Sequence, residues 1–281
     1  MQATDISWCG YGVVRAVFGA LKLLSQLNQP WKYFQYLSGF DLPLKTNLEL
    51  VRIFKQLDGA FISEVTALQK DRISVTNETS PVPLFKSSLS ATFSRASADF
   101  IVESEVVRDL LSFLKNTRCP DESLWTTMAG NPQILPMPGA FDGKKFLQFR
   151  KKDSRLPTYK RIKAQQNRTK RGPGERFVPS QYYISRYQIW SPNKACKGKY
   201  KSGSCVFGVA DLPNLVKRAE LVAHKLYLDF QPAAYFCLLK NHWNRALNAR
   251  NQRKFSAKPY SEIAHVELLH GKPFEDLWFY R

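Results

Sequence analysis

The chain has 281 residues, 44% of them hydrophobic and 13% aromatic, enough to bury a substantial core and to exclude wholesale disorder. Lysine and arginine number 42 against 23 aspartates and glutamates, a formal net charge of +19. Such a surface calls for an anionic partner: nucleic acid, membrane headgroups or nucleotide phosphates.

The longest apolar stretch, 9–27, is broken by Arg15 and Lys22, whereas a spanning helix needs roughly 20 apolar residues. The first residues lack the basic segment of a secretory signal, so the start taken alone reads as cytosolic. Val13, Val14, Val17, Phe18, Leu21 and Leu24 recur at helical spacing and predict an amphipathic helix over 13–27. Trp31 to Leu37 is dense in aromatics and suits a buried strand, running into a Gly- and Pro-marked loop over 38–43. Thr46 and Glu49 form a capping box for a helix carrying Leu48, Val51, Ile53, Phe54 and Leu57. Leu89 to Phe93 reads as a strand, followed by helices near 95–102 and 104–115. Pro120, Asp121 and Glu122 open another helix that Gly130 ends, with proline in the first turn and acids near the positive helix end. The segment 131–180 is a long loop rich in Pro and Gly, with basic residues crowded over 144–176. Cys205 to Val209 reads as a strand, and helices are expected near 211–223 and 232–249. Strands alternating with helices predict an α/β fold with a sheet covered on both faces.

Of the five cysteines, Cys196 and Cys205 flank a short Lys/Gly/Ser segment; they are either a disulfide hairpin, worth about 3 kcal/mol by loop entropy, or two free thiols. No Cys-x-x-Cys occurs and the four histidines show no zinc spacing, so no structural zinc site is expected. Asn77 and Asn167 lie in glycosylation sequons. The pairs Lys151–Lys152, Lys160–Arg161 and Lys170–Arg171, interleaved with Phe146, Phe149, Tyr159 and Phe177, are either a solvated basic loop or a single-stranded nucleic-acid surface. Phosphate-cradling glycine loops are absent, as is any Asp-x-Asp pair that would hold a divalent cation against a diphosphate. Lysine and arginine would have to neutralise such a ligand. Glu122 is, on position alone, a helix cap.

Several segments together resemble the core-2/I-branching β-1,6-N-acetylglucosaminyltransferases, glycosyltransferase family 14. They are Trp31 to Arg52 (WKYFQYLSGFDLPLKTNLELVR), Ser80 to Phe85 with Ala91 to Arg95, Pro120 to Thr127 (PDESLWTT), Cys205 to Leu212 (CVFGVADL), and His224–Lys225 running into Cys237–Leu238. The likeness covers roughly residues 8 to 250, the C-terminal part of a family member. It implies a GT-A-like α/β/α layered fold with a central mixed sheet, incomplete at its N-terminus. A transferase domain over 1–250 would contain the basic loop 131–180 and be followed by a C-terminal extension over 251–281.

The resemblance further implies metal-independent, inverting transfer of GlcNAc from UDP-GlcNAc to O6 of an acceptor sugar, without a cofactor. Its partners would be a UDP-sugar donor and a glycan acceptor rather than nucleic acid. Its compartment would be the Golgi lumen, with membrane attachment only through an anchor upstream of the residues here. Glu122 matches the family's general base, and a positioned carboxylate suits deprotonation of a sugar hydroxyl. Lys225 matches a diphosphate-binding lysine. The family's second diphosphate group, an arginine, falls at Ser202, with Lys201 beside it as the substitute. Tyr187 falls where the family has an acceptor-contacting tryptophan. Cys196 and Cys205 match a family disulfide, and Cys237 a cysteine whose partner lies upstream. The competing expectations are a non-catalytic paralogue and a basic nucleic-acid-binding protein.

Overall fold

A computed structural model describes residues 6–73, 79–148 and 183–277. In chain order its main elements are helix α1 (Tyr11–Gln26), strands β1 (Tyr33–Gln35) and β2 (Asp41–Pro43), helix α2 (Asn47–Leu57), strands β3 (Thr66–Ala67), β4 (Phe85–Lys86) and β5 (Thr92–Ser94), and helices α3 (Arg95–Glu103) and α4 (Glu105–Leu114). A 3-10 turn, Pro120–Ser123, leads into α5 (Trp125–Ala129), and α6 begins at 143 and runs to the edge of the described residues. Strands β6 (Tyr187–Gln188), β7 (Lys199–Lys201) and β8 (Ser204–Val206) precede the short helix α7 (Leu212–Leu215), strand β9 (Val222–His224) and helices α8 (Pro232–Leu247), α9 (Ala249–Lys254) and α10 (Ala264–Leu269).

The first helices form where local signals place them. The stripe of α1 buries Val14, Val17 and Leu21. Helix α2 starts at Thr46, whose hydroxyl accepts from the Glu49 amide at 3.3 Å while Glu49 accepts from the Thr46 amide at 2.8 Å. That reciprocal pair satisfies two otherwise orphaned donors. Ser94 and Ser104 cap α3 and α4 one way only, their hydroxyls accepting from the amides of Ser97 and Val107.

The class is mixed helix and sheet, and the sheets are small. β1 pairs antiparallel with β5, β3 with β4, and β7 with β8. The β7–β8 hairpin turns at Ser202 and Gly203, both at positive φ (51° and 72°), as a two-residue turn matching strand twist requires. The three-stranded sheet is mixed: β9 lies between β2, antiparallel, and β6, parallel.

Two expectations are corrected by that sheet. The segment expected as a loop over 38–43 ends in a strand, because Asp41 to Pro43 pair with His224 to Val222. The helix expected over 211–223 is only one turn long, and its far end is the central strand β9. Hydrogen bonding on both sides overrides the local preference there, a long-range effect that periodicity does not register. The loop expected over 131–180 carries helix α6 from residue 143 in its described part, and the expected strands at 31–37 and 89–93 narrow to β1 and to Thr92–Ser94.

Three apolar clusters hold the described residues together. The largest joins α1, α3 and α4 to a ring stack in which Phe61 and Phe93 lie 4.6 Å apart and nearly parallel, with Trp125 at 5.0 Å from Phe93. Trp125 is fully buried, and its indole N–H donates to the Leu89 carbonyl at 2.7 Å. Phe146 also lies in this core, fully buried, so that member of the basic, aromatic stretch is a core residue. The second cluster packs Ile53 and Leu57 of α2 against Tyr260, Ile263 and Val266 from beyond residue 250. The third surrounds the mixed sheet with Leu42, Ile189, Phe207, Leu226 and Leu238. Among the described residues no helix is long and apolar enough to cross a membrane.

Candidate active site

Glu122 sits on the 3-10 turn after Cys119. Cys119 is bonded to Cys9, which ties that turn to the start of α1. The turn is also fastened by the Ser87 amide, which donates to the Glu122 carbonyl at 2.6 Å. The Glu122 carboxylate accepts from Arg72 Nη2 at 2.5 Å and lies 3.5 Å from Lys86 Nζ. Its side chain keeps 31% exposure, so a ligand can reach it. Beside it, Asp121 is largely buried; burial first and the neighbouring Glu122 second raise its carboxyl pKa above the usual carboxylate range. Arg72 Nη1, Ser87 Oγ and Asp121 Oδ1 are each buried with no hydrogen-bond partner among the described residues.

A second polar group gathers on the mixed sheet. Asp41, with no side-chain exposure, lies 2.7 Å from His224 Nδ1. The next residue, Lys225, is buried, and its ammonium donates to the Lys201 carbonyl at 3.0 Å. Lys201 and Lys225 place their ammonium groups 5.0 and 5.4 Å from the centre of the Tyr227 ring, which meets Phe40 edge-on at 4.6 Å. The hairpin therefore brings together the two lysines that lie 24 residues apart.

Arg186 stands between the two groups. It donates to Ser88 Oγ at 2.8 Å, one residue from the Ser87 anchor of Glu122, and its charge adds to burial, the main cause, in lowering the His224 pKa. Tyr36 feels Asp41, Arg186 and Asp121 together, although burial is the main reason its phenol is raised. Tyr187, next in sequence, stacks parallel to Phe207 at 5.6 Å and carries the Arg218 guanidinium 4.0 Å from its ring centre. Its hydroxyl accepts from Asn214 at 3.1 Å.

Cys196 and Cys205 form the second disulfide, and Cys237 is free and exposed. Asn77 and Asn167, and the basic stretch from 149 to 176, lie outside the described residues. No group of three His, Cys, Asp or Glu among the described residues is placed to hold a metal ion. Sequence reasoning missed the Cys9–Cys119 bridge, Arg72 and Arg186. An odd cysteine directly before Pro-Asp-Glu was a signal for the first; no local pattern marks the two arginines.

Residues 1–216 match the family model of the core-2/I-branching enzyme, and the chain belongs to that family. It is similar to a human beta-1,3-galactosyl-O-glycosyl-glycoprotein beta-1,6-N-acetylglucosaminyltransferase, 27% identical over 265 residues, covering 86% of this chain and 56% of the relative. The Bos taurus protein of the same name is 26% identical over 268 residues, covering 88% and 57%. A human N-acetyllactosaminide beta-1,6-N-acetylglucosaminyl-transferase is 25% identical over 267 residues, covering 87% and 58%. The chain thus spans just over half the length of these relatives.

Proposed function

We propose that this chain carries the acceptor side and part of the donor side of an inverting β-1,6-N-acetylglucosaminyltransferase with GT-A-type layering. It moves GlcNAc from UDP-GlcNAc to O6 of an acceptor sugar on O-glycans or related glycans. The observation that carries this reading is the surround of Glu122: a reachable carboxylate, its side chain 31% exposed, held by Arg72 at 2.5 Å and 3.5 Å from Lys86. Glu122 removes the proton from the acceptor hydroxyl as that oxygen attacks the anomeric carbon, and one base suffices for a single displacement. Lys225 and Lys201 neutralise the leaving diphosphate in place of a metal, and Tyr187 lines the acceptor side. The two disulfides fit an oxidising compartment, in keeping with the Golgi lumen and against a nucleic-acid-binding role.

The test is GlcNAc transfer to an O-glycan acceptor in the presence of EDTA, followed by mass. Glu122→Gln is expected to lower turnover by about 10²- to 10⁴-fold while UDP binding persists. Full turnover in that variant sinks the base assignment, and loss of activity in EDTA sinks metal independence. The non-catalytic reading draws its support from Ser202, a hairpin-turn residue where the family pattern has an arginine. It predicts glycan binding with no release of UDP.

A further inference from the structure

Asp41 and His224 are directly opposed across β2 and β9. One Asp41 oxygen lies 2.7 Å from His224 Nδ1, and the other accepts from the Ser38 amide at 2.7 Å. Ser38 Oγ lies 3.4 Å from the same ring nitrogen. An ionised carboxylate only accepts, so Nδ1 carries the hydrogen. Burial, with Arg186 and Lys225, lowers the ring's pKa against the opposing pull of Asp41, which favours the neutral imidazole. A neutral ring protonated at Nδ1 presents a lone pair at Nε2. That nitrogen has no partner among the described residues, while the side chain keeps 15% exposure. The ring is thus locked in tautomer by a buried acid, with its acceptor end unspent, one residue from Lys225.

We propose that His224 Nε2 accepts a hydrogen bond from a hydroxyl of the nucleoside-diphosphate sugar held at Lys225, with Asp41 as the positioning residue that sets the tautomer. This rests on the donor reading above. The phosphates are drawn to the lysine ammonium groups, and a lone pair repels them. The group that meets Nε2 is therefore a neutral donor, a ribose hydroxyl or a sugar hydroxyl adjoining the diphosphate.

Calorimetric titration of UDP and of UDP-GlcNAc into the full chain separates the two sources. His224→Ala is expected to weaken binding about 3- to 10-fold, the worth of a neutral hydrogen bond. His224→Gln, whose amide oxygen reaches as far as Nε2, is expected to restore most of it. Weakening of both ligands assigns the ribose hydroxyl; weakening of UDP-GlcNAc alone assigns the sugar. Wild-type affinity in His224→Ala, or equal loss in His224→Gln, overturns the inference and leaves the donor reading intact. No UDP binding by the wild-type chain overturns both. Long-range proton–nitrogen NMR of the wild-type imidazole needs no variant: an Nε2 that carries hydrogen, or one unmoved by a saturating donor, refutes the assignment.

Discussion

Replacing Cys9 and Cys119 together by alanine removes a bridge between residues 110 apart in sequence, whereas the same change at Cys196 and Cys205 removes one between residues 9 apart. Cross-linking lowers the entropy of the unfolded chain by an amount that grows with the logarithm of the loop. The long bridge is then worth about 4.8 kcal/mol and the short one about 2.6 kcal/mol at room temperature. At roughly 2–4 °C per kcal/mol for a chain of this size, the expected falls in melting temperature are about 10–19 °C and about 5–10 °C. Differential scanning calorimetry of the two double variants under identical conditions reads the difference. Cys119 already occupies a left-handed conformation (φ 49°), and alanine there meets the same backbone cost, so the comparison isolates the loops. The long bridge also anchors the turn that bears Glu122, so turnover of the Cys9/Cys119 variant is expected to fall well below its melting range. A short-bridge variant that loses as much stability as the long-bridge one refutes the loop-entropy argument.

Lys225→Met keeps the buried stem and removes the charge that donates to the Lys201 carbonyl; UDP affinity is expected to fall by about 10- to 100-fold, as for loss of a charge-assisted contact, and an unchanged dissociation constant dismisses Lys225 from the donor site. Lys45 is buried, and burial first, then Arg245, holds its pKa down to about 8 from the ordinary 10.5. The unfolded chain therefore binds more protons than the fold between those values, so stability rises with pH across that window, by up to about 3 kcal/mol. Buried tyrosines with raised pKa, Tyr183 and Tyr260 among them, oppose this above about pH 10, so urea titrations at pH 8 and pH 10.5 are read as a difference: the change in stability is expected to be more favourable in the wild type than in Lys45→Met, and equal changes refute the buried-charge account. At Gly139 (φ 76°) an added Cβ would lie 2.1 Å from the Gly59 carbonyl oxygen and 2.9 Å from the Phe61 amide nitrogen. Gly139→Ala is expected to cost about 3 kcal/mol from strain and overlap together, and a melting temperature within error of wild type refutes that geometry.

Much of the helical skeleton was legible in the residues themselves. The stripe of α1, the Thr46–Glu49 box and the caps at Ser94 and Ser104 act within one or two turns, so neighbours in sequence specify them. Spacing left Cys196 and Cys205 open between a bridge and two free thiols, and only the family resemblance implied the pairing that the structure shows. What only the tertiary structure decided lies across long separations. Strand β9 exists because β2 and β6, drawn from distant parts of the chain, hydrogen-bond to its two edges. Glu122 owes its surroundings to Arg72, Lys86 and a bridge from Cys9, and Arg186 reaches Ser88 from 98 residues away. Helical periodicity and capping are short-range preferences, whereas sheet pairing, ion pairs and cross-links are set by which surfaces the apolar core brings together. The sequence by itself therefore determined most of the helices and the local turn that carries Glu122; the packed structure determined the cations and hydrogen-bond partners around that carboxylate and the pairing of the mixed sheet.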